Sequence, residues 1–164
     1  MHTLEWLNQT DVKQFAELLG EVFEKSPWIA MKVAKSRPFA SKDALYDHMV
    51  TIVKQADFNQ QLQLIKNHPS LGERVYMSDY STKEQQQAGL KGLTEEEYRN
   101  FLNANEVYME KFGFPFIIAV RGKSKEEIYQ SMLKRVEHNP EVEFQTALTQ
   151  IYAIAKFRLD ELIF

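Results

Sequence analysis

The chain has 164 residues, with 20 Lys+Arg against 23 Asp+Glu, a net charge of −3, and no cysteine. This length fits one domain with its own core, and the charge balance excludes a nucleic-acid binder built on a concentrated basic face. The lack of cysteine excludes a disulfide scaffold, a thiolate nucleophile and any Cys-based zinc or iron–sulfur site.

The pattern is helical almost throughout. Val12, Phe15, Leu18, Leu19, Val22 and Phe23 recur at steps of three and four, one stripe of a helix. Asp11 caps this helix, with Gln14 three residues on, and Ser26-Pro27 stops it. A short helix is predicted from Pro27 through Lys35, broken by Ser36-Arg37-Pro38. Ser41 caps a third helix with Leu45, Met49, Ile52, Val53 and Ala56 inward. Asn59 to Asn67 reads as one more short helix, with Leu62 and Ile65 inward.

His68-Pro69-Ser70-Leu71-Gly72 has no period and two backbone punctuators, so a loop is expected there, running on through Tyr80. Ser81-x-x-Glu84, Thr94-x-x-Glu97 and Ser124-x-x-Glu127 each have capping-box spacing and each open a predicted helix. Gly92 and Gly113 stand where helices end. The last helix starts at Asn139-Pro140 and carries Leu148, Ile151, Tyr152, Ala155, Leu159 and Leu162 inward.

One run departs from this pattern. Phe114-Pro115-Phe116-Ile117-Ile118-Ala119-Val120 is apolar and partly β-branched, but no second strand candidate exists to pair with it. The run is therefore expected to be a buried extended segment, with some peptide groups pointed at a cavity. The expectation is an all-α single domain over residues 1–164, of about eight helices plus this segment. No stretch is long and apolar enough for a membrane span. No secretory signal or peroxisomal address is visible, which makes a cytoplasmic location the expectation.

Four histidines are present. His2 is terminal, and His48 and His138 read as solvated structural positions. None pairs at i, i+4 and no carboxylate cluster accompanies them, so no metal site is expected. His68 sits in a loop with its backbone fixed by Pro69. An exposed loop histidine is the ordinary reading, and a side chain held in one direction is the functional one. Glu84 is fully explained by a capping box with Ser81, yet a helix start also favours an anionic ligand. Arg158 prolongs the stripe of Leu148, Ile151 and Ala155, and an inward arginine needs a charge partner or an anionic ligand.

Together, His68-Pro69-x-Leu71-Gly72, Ser81-x-x-Glu84-Gln85-x-x-Ala88-Gly89-Leu90, Asn105-x-x-Tyr108-x-x-Lys111-Phe112-Gly113-Phe114-Pro115-Phe116-Ile117 and Arg158-Leu159 resemble the OHCU decarboxylases. These enzymes act on 2-oxo-4-hydroxy-4-carboxy-5-ureidoimidazoline in urate breakdown. The resemblance covers nearly the whole chain; Gly72 stands where many members carry alanine. It implies an all-α fold, a homodimer, and an enzyme that uses no cofactor and no metal. It matches His68 to the catalytic histidine and Glu84 to the catalytic carboxylate. Pro69, Ser81, Gln85 and Arg158 match substrate-binding positions, and Phe116 and Ile117 match the segment whose backbone faces the ligand. Some relatives are fused to urate oxidase, which makes that enzyme an expected partner. The rival reading, a non-catalytic helical interaction module on the same fold, has no need for His68, Glu84 and Arg158 together.

Overall fold

A computed structural model describes residues 1–69 and 93–164. They form eight α-helices and one 3₁₀ turn, with no strand among the described residues, as the periodicity predicts. Within the chain, contacts gather into two units, residues 1–67 with 152–164 and residues 68–151.

The first unit begins with α1 (Leu4–Gln9), which the sequence pattern did not reveal. It is six residues long and buries one side chain, Leu7, too short a stretch to show a period. Thr3 caps it by accepting from the Trp6 N–H at 3.1 Å. The second helix, α2 (Val12–Leu19), is capped by Asp11, which accepts from the Gln14 N–H at 2.8 Å. It ends earlier than predicted. Val22 and Phe23 are buried, but they lie in turns after Gly20, where Val22 donates to the Leu19 carbonyl and Ser26 to that of Phe23. Val12 is 47% exposed, not part of the inner stripe, because it opens the first turn.

Ser26-Pro27 therefore serves as the start of α3 (Pro27–Val33), with proline at the first turn, where its missing N–H costs nothing. A 3₁₀ turn, Ala34–Ser36, follows. Capped by Ser41, α4 (Lys42–Gln55) buries Leu45, Met49 and Val53, and α3 packs on both α2 and α4. Asp57 and Gln60 form a full capping box for α5 (Phe58–Lys66), which buries Leu64 and Ile65 rather than Leu62. The Asn8 side chain clasps the Phe39 backbone from both sides, donating to its carbonyl at 3.0 Å and accepting from its N–H at 2.8 Å. The end of the chain returns to its start through a parallel bridge between His2 and Ile163.

In the second unit, α6 (Glu95–Phe112) has the predicted Thr94–Glu97 box with both bonds made. It ends on Gly113 at φ 77°, a left-handed conformation that glycine adopts without penalty. Residues 114–120 are buried, as expected, and form neither helix nor strand. Then α7 (Lys125–Arg135) starts at Ser124, whose hydroxyl accepts from the Glu127 N–H. It packs on α6. Asn139 accepts from the Val142 N–H at 2.9 Å to open α8 (Pro140–Leu162), whose residues fall in both units. The box expected at Ser81–Glu84 and the helix end expected at Gly92 lie outside the described residues. No described helix is long and apolar enough to cross a membrane.

Candidate active site

His68 follows α5 by one residue and is 6% exposed, so the ordinary reading of an exposed loop histidine does not hold. Asn67, the C-cap of α5, fixes the chain immediately before it. Its amide donates to the Lys25 carbonyl at 3.3 Å and to the Ser26 hydroxyl at 3.4 Å. Pro69 follows His68 and is half-buried. The imidazole is thus taken out of water, next to a capped helix end and a proline.

Phe116 and Ile117 lie in this buried segment, 1% and 4% exposed. Backbone polar groups in such a segment need partners when no strand supplies them. Two of them find side chains. The Ile117 carbonyl accepts from Arg135 Nη1 at 2.6 Å, and the Ala119 N–H donates to Gln150 Oε1 at 2.9 Å. Part of the peptide capacity expected to face a cavity is thus used inside the protein.

Arg158 is 1% exposed, on the inner stripe where the sequence places it. Of the two outcomes open to an inward arginine, the structure supplies a charge partner. Its Nη2 lies 3.0 Å from Glu24 Oε2, both side chains fully buried. Its Nη1 donates to the Glu21 carbonyl at 3.3 Å and more weakly to that of Val22 at 3.5 Å. Ser81, Glu84 and Gln85 lie outside the described residues. Of the candidates that are described, His68, Pro69, Phe116 and Ile117 belong to the second unit and Arg158 to the first.

Sequence reasoning passed over a buried polar network in the second unit. Arg135, 7% exposed, donates from Nε and Nη2 to Glu143 Oε1 at 2.9 and 2.5 Å. Glu143 is fully buried. Its Oε1 also accepts from the Tyr108 hydroxyl, and its Oε2 lies 3.1 Å from His138 Nδ1. Burial first, and the bond to Glu143 second, push the Tyr108 phenol far above its ordinary range, so it stays a hydrogen-bond donor. His138, read as solvated, is half-buried on this carboxylate. The signal was present in the sequence. Arg135 follows Ile128 and Met132 at steps of four and three, the same inward stripe that marked Arg158.

Among the described residues, no group of three His, Asp or Glu is placed to hold a metal ion. A groove of about 260 Å³ is lined by Ala104, Val107, Tyr129, Met132, Leu133 and Val136, among others. It contains neither a carboxylate nor an imidazole and includes none of the candidates.

Amphipathic helices and a buried histidine followed by proline define a class of all-α domain, and comparison with known proteins gives the class its name. The OHCU decarboxylase family model matches residues 8–160. The chain is 51% identical to the uric acid degradation bifunctional protein PucL of Bacillus subtilis, over 99% of this chain and 33% of that protein. It is 44% identical to the 2-oxo-4-hydroxy-4-carboxy-5-ureidoimidazoline decarboxylase of Halalkalicoccus jeotgali, over 98% of this chain and 91% of that protein. The crystal structure of an (S)-allantoin synthase superimposes with a TM-score of 0.83 at 30% identity, covering 99% of this chain and 54% of that one. An OHCU decarboxylase crystallised in the presence of (S)-allantoin shares the fold, with a TM-score of 0.72 at 24% identity over 93% of this chain and 98% of that one. The chain belongs to the OHCU decarboxylase family. It spans about a third of the length of the two bifunctional Bacillus relatives.

Proposed function

We propose that this chain catalyses the decarboxylation of 2-oxo-4-hydroxy-4-carboxy-5-ureidoimidazoline to (S)-allantoin and CO₂ in urate degradation. The observation that carries this reading is His68. In a chain of this family, the matching imidazole is buried at the end of α5, between a hydrogen-bonded Asn67 and Pro69. The bond from ring carbon C4 to the carboxylate breaks, CO₂ leaves, and the electron pair passes into the adjacent C5=N bond of the imidazoline ring. The ring nitrogen takes up that charge, and the product forms as C5 gains a proton and the 4-hydroxyl loses its own to become a carbonyl, so the reaction needs no added electron sink. The protein's task is to orient the anion, stabilise the developing charge and deliver a proton to one face.

His68 is the general acid/base in this scheme, since imidazole titrates near neutral pH. Glu84 fixes the hydroxyl and ureido side of the substrate. Arg158 grips a substrate oxygen, because a guanidinium has five N–H donors and can serve Glu24 and an anion together. Pro69, Ser81 and Gln85 line the site, and Phe116 and Ile117 present backbone to the ring. The working unit in this reading is a cytoplasmic homodimer, acting with a urate oxidase in the manner suggested by the bifunctional Bacillus relatives.

The test generates the substrate from urate with urate oxidase and hydroxyisourate hydrolase. Circular dichroism follows the appearance of optically active allantoin. The chain is expected to accelerate it, and His68→Ala to abolish the acceleration with the helical spectrum unchanged. Full activity in His68→Ala would remove the histidine from the chemistry.

A further inference from the structure

We infer that Arg135 is a positioning residue that sets the geometry of Phe116 and Ile117. It touches both. The centre of its guanidinium lies 4.3 Å from the centroid of the Phe116 ring, and its Nη1 donates to the Ile117 carbonyl at 2.6 Å. The planar, rigid fork of arginine allows one side chain to stack on an aromatic face and bond a carbonyl at its edge, which a lysine cannot copy.

The clamp is itself anchored. Glu143 holds Nε and Nη2 of Arg135 and is in turn held by the Tyr108 hydroxyl. The Tyr108 ring meets Phe116 edge to face, with centroids 5.2 Å apart and planes at 84°. Phe116 therefore lies between a cation and an aromatic edge that share one carboxylate. The Ile117–Ile118 peptide is trans, so drawing its carbonyl to Arg135 directs the Ile118 N–H the opposite way. The clamp thus fixes which way the Ile117–Ile118 peptide is turned, with its carbonyl spent on Arg135.

The inference rests on the decarboxylase reading, in which Phe116 and Ile117 meet the substrate; Arg135 acts through them and does not touch it. The test measures kcat and KM in the circular dichroism assay for Arg135→Lys, Glu143→Gln and Phe116→Leu. Arg135→Lys keeps the charge and loses the fork, and is expected to raise KM roughly tenfold with kcat little changed. Glu143→Gln keeps the shape and loosens the anchor, with a KM rise of roughly threefold expected. Val53→Ala, a core truncation in the other unit, serves as the destabilised reference, with a lower melting temperature and unmoved KM. KM for both Arg135→Lys and Glu143→Gln within twofold of the unaltered chain would overturn the clamp. Should Arg135→Lys not fold, Glu143→Gln alone decides. A KM moved by Phe116→Leu but by neither clamp variant leaves the decarboxylase reading standing and overturns this inference only. No acceleration by the unaltered chain would remove both.

Discussion

Each of the two units buries an arginine, and the two are held differently. In the first unit, Arg158 pairs with Glu24 at 3.0 Å, and its Nη1 reaches the backbone carbonyls of Glu21 and Val22 at 3.3 and 3.5 Å. In the second, Arg135 commits all three of its nitrogens to protein acceptors at 2.5 to 2.9 Å and lays its plane on an aromatic ring. Arg135 is built as a strut. Arg158 is a buried cation paired with one carboxylate, and only the proposed function gives it an anionic substrate to meet. Both lie on the inward stripe of a helix, so the pattern that marks a buried arginine does not say which of these tasks it performs.

This contrast can be broken from either side. Removing a partner from a buried ion pair leaves an uncompensated charge, at about 3–5 kcal/mol. The largest loss is expected for Glu143→Ala, toward the upper end of that range, because Arg135 and Tyr108 both lose their acceptor. Urea unfolding monitored by far-UV circular dichroism measures it. Glu24→Ala is expected nearer ~3 kcal/mol, since Arg158 retains the carbonyls of Glu21 and Val22. An equal loss for the two would erase the distinction between the two anchors.

The smallest effect concerns surface charge in the first unit. Burial raises the Asp160 carboxyl, but hydrogen bonds from Lys42 and Lys156 outweigh it and hold the group below its ordinary range. A lowered carboxylate stabilises the fold above its unfolded value, near ~3.9, and that contribution is lost as pH falls through the folded value. The stability difference between the unaltered chain and Asp160→Asn should therefore be present at pH 7 and shrink below about pH 4. With the Asp160 side chain 40% exposed, solvent and salt screen the effect to a modest size.

Much of the fold is legible in the sequence because its helices carry both periodicity and caps. Asp11, Ser41, Thr94, Ser124 and Asn139 all make the N-cap bond their positions predict, and the reciprocal bond of the box is made at Thr94–Glu97 but not at Ser124–Glu127. What escaped lacks one of those signals. The first helix is too short to show a period, and α2 stops at Leu19 although the apolar residues run on, since Val22 and Phe23 pack from turns. At the candidate site, the inward position of Arg158 was readable from three- and four-residue steps, but its partner Glu24 is distant in the chain and no local spacing joins them. Arg135 carried the same signal. Its acceptor Glu143 reads as an ordinary first-turn acid of α8, since side-chain burial there depends on packing that local sequence does not encode. His68 shows the reverse. An exposed loop histidine is what composition favours, and His68 is buried.

The most direct measurement is the rate at which (S)-allantoin appears, by circular dichroism, when the ureidoimidazoline is generated in place from urate. Acceleration by the unaltered chain, lost in His68→Ala with the melting curve preserved, is the predicted result. A rate equal to the spontaneous one with the unaltered chain present would contradict the decarboxylase reading.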